Sequence, residues 1–89
     1  MKSLLSIAKN DKNTTVRASA ILKLASTGDT AYKELMNESI KEQSYKVIAA
    51  GISGLLKFSA EEGNKALTSL DEDTKKHVTM LMKKIENQK

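Results

Sequence analysis

The sequence predicts an all-α fold, and two observations carry this prediction. Leu, Ala, Lys and Glu are abundant in a chain of 89 residues that contains no Pro, and β-branched residues are dispersed. These residue types favour helix, and the lack of Pro leaves helix interiors unbroken. The second observation is a repeated pattern with a period of about 31 residues, in which polar turns separate amphipathic segments. We therefore expect helices throughout and no β-sheet.

Turn signals divide the chain into six predicted helices. Clusters of turn-forming residues stand at 10–13, 27–29, 37–43, 59–60 and 71–73. They leave helices at about 2–9, 14–26, 30–38, 43–58, 61–70 and 74–87. Ser59 and Glu62 fit a capping box, in which each side chain accepts a hydrogen bond from a backbone N–H at a helix start. The acidic residues near the last two starts are expected to stabilise the positive ends of the helix dipoles.

An acidic residue followed five positions later by Val recurs at an interval of 31 residues, and apolar residues of the shorter helices keep the same register. The equivalent sets are Asp11/Glu42/Asp73, Val16/Val47/Val78, Leu4/Leu35/Ala66 and Leu5/Met36/Leu67. The chain is therefore predicted to be one domain, 1–89, of three helix-turn-helix repeats at about 1–26, 27–57 and 58–89. Such units bury their apolar sides by stacking, so we expect an α-solenoid, an alpha-alpha superhelix.

The two longest predicted helices differ in how far apolar residues extend around them. In 43–58, apolar residues and glycine lie nearly all round, and only Lys46, Ser53 and Lys57 form a narrow polar strip. This helix is expected to be enclosed. In 74–87 a single apolar stripe leaves a polar outer face, as expected of a unit that ends a stack. At the N-terminus, mapping the Thr30 start of the second short helix back by 31 residues lands before Met1. We therefore expect the chain to begin inside an element and to be the C-terminal fragment of a longer protein.

Two glycines and one arginine are predicted to hold neighbouring helices together. Gly51 and Gly54 lie on the same side of their helix as Val47, and each costs up to about 1 kcal/mol relative to Ala in a helix interior. We expect close approach of a neighbouring helix to offset this cost. Arg17 lies at the edge of an apolar arc and is expected to pair with Asp11 or Asp29, with a peptide carboxylate as the alternative partner.

Charge and residue usage argue against several function classes. The net charge is +4, but Arg17 is the only Arg, which disfavours a dedicated DNA reader because base recognition relies on Arg geometry. His77 is the only His and Cys is absent, so no metal site or Ser-His-acid triad is supported and His77 is expected on the surface. The longest apolar run, 47–50, is too short for a membrane span, and the apolar stretch within 1–9 is too short for a secretory signal. The cellular compartment stays open.

Residues 11–29, DKNTTVRASAILKLASTGD, resemble a HEAT-type repeat in their acidic residue, Val-Arg pair, Ala, Leu and closing Gly-Asp. The resemblance extends over all three repeats and is sharpest in the first. In this family an Asp before the second helix and an Arg or Lys within it often form a ladder between neighbouring repeats. The resemblance assigns these roles to Asp11 and Arg17, whereas Ile48 and Thr79 occupy the Arg position later. The lack of Pro is closer to the shorter repeats of roughly 30 residues.

Residues 16–21, VRASAI, are similar to helical units that follow the catalytic domain in bacterial zinc aminopeptidases of the aminopeptidase N type. This resemblance implies a parent enzyme that removes N-terminal residues from peptides, with zinc held by a His-Glu-x-x-His helix. That motif does not occur in this sequence. The chain is then expected to be a helical wall beside the catalytic domain that limits access for bulky peptides, with no cofactor of its own.

Two function hypotheses follow, and a third is disfavoured. The first is a non-catalytic interaction or structural module whose concave surface, lined by the second helices, packs against the preceding domain of the parent chain or another protein. The second is a nucleic-acid-binding solenoid, which requires four lysines to converge on the concave face: Lys23, Lys46, Lys57 and Lys84. A free-standing hydrolase would require peptidase turnover with added metal, and none is expected. No membrane partner is expected.

Overall fold

The computed structural model describes residues 3–87 and contains six α-helices in that range. They are α1 (Leu4–Asn10), α2 (Thr14–Ala25), α3 (Lys33–Ser39), α4 (Tyr45–Phe58), α5 (Ala60–Thr68) and α6 (Glu72–Asn87), and a single 3-10 turn, Thr30–Tyr32, precedes α3. No β-strand occurs between residues 3 and 87. The prediction of an all-α protein is confirmed. Lys2, placed in the first predicted helix, lies outside the described residues.

Polar side chains fix the starts of most helices, because each accepts a hydrogen bond from an otherwise unpaired backbone N–H. Ser3, Asn13 and Ser44 do so at α1, α2 and α4. Before α6, Asp71 accepts hydrogen bonds from the hydroxyl and the backbone N–H of Thr74, at 2.7 and 3.2 Å. These bonds, the one from the hydroxyl foremost, lower the pKa of Asp71. With Asp71 as the cap, α6 begins two residues earlier than predicted.

Ser59 is the one residue between α4 and α5, and its capping box is only half formed. The Ser59 hydroxyl accepts a hydrogen bond from the Glu62 N–H at 3.2 Å. The Ser59 N–H donates instead to the Leu55 carbonyl at 2.8 Å, so it does not need the Glu62 carboxylate. That carboxylate pairs with Lys33 of α3. The predicted Ser cap is confirmed, but the reciprocal Glu contact is wrong.

Helix α4 is the centre of the fold. Helices α2, α3, α5 and α6 all pack on α4, and α1 packs on α2. The buried residues of α4 lie on nearly all its sides: Val47, Ile48, Ala49, Ala50, Gly51, Ile52, Gly54 and Leu55. The prediction of an enclosed helix is therefore confirmed. Helix α5 packs mainly on α4, and its backbone does not approach α6 as closely as α1 approaches α2 or α3 approaches α4.

Two hydrophobic clusters meet at α4. The first lies between α4 and the helices before it, and includes Ile21, Met36 and Val47. The second joins α4 to α5 and α6, and is centred on Ile52 and Val78. Because α4 contributes to both clusters, it couples the N-terminal and C-terminal parts of the fold.

The glycines of α4 lie where α3 and α2 come too close for a side chain. A Cβ on Gly51 would lie 2.8 Å from Ser39 Cβ and 3.0 Å from the Met36 carbonyl oxygen. A Cβ on Gly54 would collide with the Met36 sulfur and lie 2.9 Å from Ala25 Cβ. The prediction that Gly51 and Gly54 permit close helix approach is confirmed.

Candidate functional site

A groove runs along α4 between α2 and α6. It consists of two adjoining cavities of about 380 and 310 Å³, which share Leu22 and Ile85 as lining residues. We call this surface the α4 groove. Its floor is formed by small residues of α4, Ala49 and Ser53, and its walls are formed by Leu22 of α2 and the apolar stripe of α6, which contributes Leu81, Met82 and Ile85.

The groove is lined by equivalent register positions of α2 and α4, but mostly not of α6. At intervals of 31 residues, Thr15/Lys46, Ala18/Ala49 and Leu22/Ser53 line the groove, and Lys84 continues the last set. The apolar α6 residues in the groove, Leu81, Met82 and Ile85, are the counterparts of Ala50, Gly51 and Gly54, which do not line it. Helices α2 and α4 therefore turn equivalent faces to the groove. This face lies away from the side of α4 that Gly51 and Gly54 press against α3.

Lysines stand at both ends of the α4 groove. Lys46 and Lys84 line one end, and Lys57 lines the other beside Glu86. The Lys46 ammonium donates to the Thr15 hydroxyl at 2.8 Å. Within residues 3–87 the ion pairs are Arg17–Glu42 and Lys33–Glu62, so the three groove lysines have no carboxylate partner there.

The nucleic-acid hypothesis requires four lysines on one concave face, and three of them line the groove. These are Lys46, Lys57 and Lys84, whereas Lys23 is exposed on α2 outside the lining residues. On α2, Leu22 faces the groove, and Lys23 is one residue further around the helix, about 100° away. The condition set by that hypothesis is therefore met only in part.

An exposed aromatic and an exposed Met extend the groove at its Lys46 end. Tyr45 and His77 are stacked with ring centroids 4.7 Å apart, and Met80 is 58% exposed. Both rings and Met80 line a further cavity of about 400 Å³ that also contacts Lys46 and Lys84. His77 lies on the surface as predicted, and its Nδ1 is 2.8 Å from the Asp73 carbonyl oxygen.

Arg17 connects two helix pairs, but not through the predicted partners. Its guanidinium pairs with Glu42 at 3.2 Å, and its Nε donates to the Ala8 carbonyl at 3.1 Å. Asp11 accepts a hydrogen bond from the Asn13 N–H, and Asp29 accepts one from the Ala31 N–H. The predicted pairing of Arg17 with Asp11 or Asp29 is wrong, because both carboxylates cap local turns. Glu42 is the register counterpart of Asp11, one repeat later.

The sequence reasoning missed Leu22, Ile85, Tyr45 and Met80 as groove residues. An apolar residue on a helix gives no sign of whether a neighbour covers it. The register of 31 residues points to Leu22 and Met80, the counterparts of Ser53 and Ala49, but not to Ile85, which is the counterpart of Gly54.

Metal-ligand clusters and membrane-spanning helices are both absent from residues 3–87. No group of three His, Cys, Asp or Glu side chains there is arranged to hold a metal ion. No helix in that range has both the length and the apolar character required to cross a bilayer.

Comparison with protein-family models, with characterised proteins and with solved structures gives no significant match.

Proposed function

We propose that this chain is a non-catalytic interaction module, built as a HEAT-like α-solenoid of three repeats, and that it binds a protein surface through the α4 groove. The observation that carries the proposal is the groove itself, which lies between three helices and has apolar walls and a small-residue floor. Exposed apolar residues that share one concave surface are typical of a binding site for an apolar or amphipathic partner.

A protein partner fits this groove better than a nucleic acid. Leu22, Leu81 and Ile85 offer apolar surface between the lysines. A phosphate backbone gains nothing from such surface, whereas an apolar side chain gains about 25 cal/mol for each Å² removed from water. The observation that supports the alternative function, nucleic-acid binding, is that three lysines line the groove: Lys46, Lys57 and Lys84.

The parent protein that the resemblance favours is a bacterial zinc aminopeptidase. In such a parent the chain would follow the catalytic domain, pack against it and limit access for bulky peptides. The zinc would be held by the His-Glu-x-x-His helix of the catalytic domain, so this chain would bind no cofactor. Support for this placement is the sequence similarity of residues 16–21 and the expectation of a polar terminal helix.

A peptide selection tests the interaction function. The probe is a yeast-displayed library of random 16-residue peptides, selected for binding to the chain and measured afterwards by fluorescence anisotropy. The blocking variant is Ser53→Trp, which fills the groove floor, and its matched control is Asn64→Trp on the exposed side of α5. We expect selected peptides to bind with Kd of about 10 μM, to weaken at least about tenfold with Ser53→Trp and to change less than about twofold with Asn64→Trp.

Two further assays decide between the function classes. Binding of a 20-base-pair DNA duplex is measured at about 50 and 200 mM salt, and a steep loss of affinity with salt that depends on the groove lysines would favour the nucleic-acid alternative. Peptidase turnover is measured with Zn²⁺ added, and turnover by the chain alone would overturn the non-catalytic assignment. Peptides that bind equally well to the Ser53→Trp variant would overturn the role of the groove.

A further inference from the structure

We propose that the partner of the α4 groove is an amphipathic helix of a separate protein, and that the acidic end of this helix lies between Lys46 and Lys84. This inference rests on the proposed function, because it names the chemistry of the partner that the same groove accepts. Three features support it: the lack of backbone partners in the groove, the unpaired lysines, and the exposed Tyr45 and Met80.

The groove suits a helix rather than an extended peptide. Its walls and floor are side chains of α2, α4 and α6, whose backbone groups are engaged within the helices. An extended peptide would bring unpaired N–H and C=O groups against this apolar surface, and burying each of them without a partner is costly. A helix satisfies its own backbone and presents an apolar stripe.

The length of the groove matches about three helical turns. From Lys46 to Lys57 the α4 helix rises about 16 Å, at about 1.5 Å per residue. A partner helix of about 12 residues spans that distance and presents apolar side chains at i, i+4, i+7 and i+11. These side chains would contact Leu22 and Ile85, which both cavities of the groove share.

The charges favour a partner with one acidic end. At one end Lys46 and Lys84 both line the groove and neither has a carboxylate partner within residues 3–87. At the other end the lining residues include one basic and one acidic side chain, Lys57 and Glu86, so that end has no excess positive charge. Acidic side chains are therefore attracted most strongly to the Lys46 end.

Exposed apolar surface at the same end supplies an anchor beside these charges. Tyr45 is 40% exposed and Met80 is 58% exposed, and both line the cavity that adjoins Lys46 and Lys84. Tyr is enriched at energetically dominant interface positions, and Met adapts its shape to a partner. A helix with a Leu or Phe beside its acidic turn would bury both side chains.

A second copy of this chain does not meet these requirements. Its net charge is +4, so two copies repel each other. Its last helix, which carries the C-terminal apolar stripe, has more basic than acidic residues. The occupant is therefore expected to be a different, acidic protein, and the chain is expected to sediment as a monomer at micromolar concentration.

Three designed peptides test the proposal. Each has 16 residues and the same stripe of Leu at i, i+4, i+7 and i+11, and four positions in the first two turns beside the stripe are Glu, Gln or Lys. Binding to the full chain is measured by fluorescence anisotropy at about 50 and 500 mM salt. We expect the Glu peptide to bind at least about tenfold more tightly than the Gln peptide at low salt, and this advantage to shrink at high salt.

Charge reversal at the groove provides the matched comparison. In the Lys46→Glu/Lys84→Glu variant we expect the Glu peptide to weaken at least about tenfold and the Lys peptide to strengthen. The control Lys12→Glu/Lys65→Glu makes the same change in net charge at exposed positions outside the groove. There the Glu peptide is expected to change less than about twofold. Circular dichroism of each variant checks that its helix content is retained.

Each outcome supports or overturns the inference. Equal binding of the Glu and Gln peptides, lost in Ser53→Trp, would overturn the acidic end but leave the interaction function intact. Equal effects of the two charge-reversal variants would show that net charge, and not the Lys46 end, attracts the peptide. Failure of all three peptides, while library-selected peptides still bind through Ser53, would overturn the helical partner alone. A dimer in sedimentation would overturn the assignment to a separate protein.

Discussion

The first helix pair, α1 with α2, and the second pair, α3 with α4, place equivalent residues in different surroundings. In the second pair three apolar residues are buried; in the first pair their counterparts 31 positions earlier are exposed. The exposed fractions are 7, 0 and 0% for Leu35, Met36 and Val47, against 36, 37 and 40% for Leu4, Leu5 and Val16. Two of the three equivalent positions carry the same residue type in both pairs, so residue type does not explain the difference.

The difference comes from what lies beside each pair. Val47 belongs to the cluster that includes Ala20 and Ile21 of α2, so the first pair covers this side of the second. Among residues 3–87 no helix covers the corresponding side of the first pair. Val78, the counterpart of Val47 in the last helix, is also buried, because it packs into the cluster with Ile48 and Ile52 of α4. The repeated pattern therefore specifies a contact surface, and burial follows only where a neighbouring helix is present.

A bulky residue at Gly51 tests how tightly the second pair is packed. Gly51 is the register counterpart of Ala20, so the first pair accepts a methyl group where the second accepts none. We expect Gly51→Leu to lower the free energy of unfolding by about 3 kcal/mol, because the new side chain meets Ser39 and the backbone of Met36. Urea denaturation followed by circular dichroism measures this loss.

The matched control is Ser53→Leu on the groove side of the same helix. Ser53 is partly exposed and lines the α4 groove, so a Leu there has room. We expect its free energy of unfolding to stay within about 0.5 kcal/mol of the unsubstituted chain. Equal losses for the two variants would mean that α3 does not approach α4 at Gly51.

The same truncation at Val47 and at Val16 measures the contrast between the pairs directly. Val47 is fully buried, and Val47→Ala is expected to cost about 2 kcal/mol through lost apolar contact and the space left behind. Val16 is 40% exposed, and Val16→Ala is expected to cost less than about 0.5 kcal/mol. Thermal and urea unfolding of both variants give the two values.

Similar losses of unfolding free energy in Val47→Ala and Val16→Ala would contradict the difference in burial between the two helix pairs. They would indicate that Val16 is covered in solution, for example by association of two chains. Sedimentation of the unsubstituted chain at two concentrations tests for that association, because self-association depends on concentration.

Much of the fold was predictable because local signals and the repeat agreed. The lack of Pro, the polar turns and the apolar periodicity predicted six helices, and the helix starts differ by at most three residues. The largest difference is at α3, where a 3-10 turn, Thr30–Tyr32, occupies the predicted first turn. At α6 the difference comes from the cap, because Asp71 caps the helix and Asp73 lies inside it. The packing of α5 on α4 was not predictable, because it follows from the single extended residue Ser59 between the two helices.

The groove was only partly predictable. Lys46, Ser53 and Lys57 were recognised as a polar strip, and the structure places all three along the groove. The apolar walls were not recognised, because Leu22 and Ile85 have the spacing of ordinary core residues. Whether such a residue faces a neighbour or a groove depends on how far α2 and α6 stand apart, and a sequence pattern does not encode that distance.

The ion pair between Arg17 and Glu42 joins the first helix pair to the second, which also contact each other through apolar residues. The Arg17 side chain is 16% exposed and the Glu42 side chain is 41% exposed, so solvent screens part of their attraction. We expect Glu42→Gln to lower the free energy of unfolding by about 0.5 kcal/mol. Arg17→Lys is expected to cost about 1 kcal/mol, because it also removes the hydrogen bond from Nε to the Ala8 carbonyl. Urea denaturation of both variants checks these values.

A double-mutant cycle isolates the ion pair from the other contacts of Arg17. The coupling between Arg17→Met, which removes the charge, and Glu42→Gln is expected to be about 0.5 kcal/mol at low salt and smaller at about 1 M salt. The comparison pair, Lys33 with Glu62, has side chains that are 38% and 45% exposed, so its coupling should be weaker. A zero coupling for Arg17 and Glu42 would show that apolar contact alone aligns the two pairs. A coupling that also persists at high salt would locate the ion pair in a drier interface than its exposure indicates.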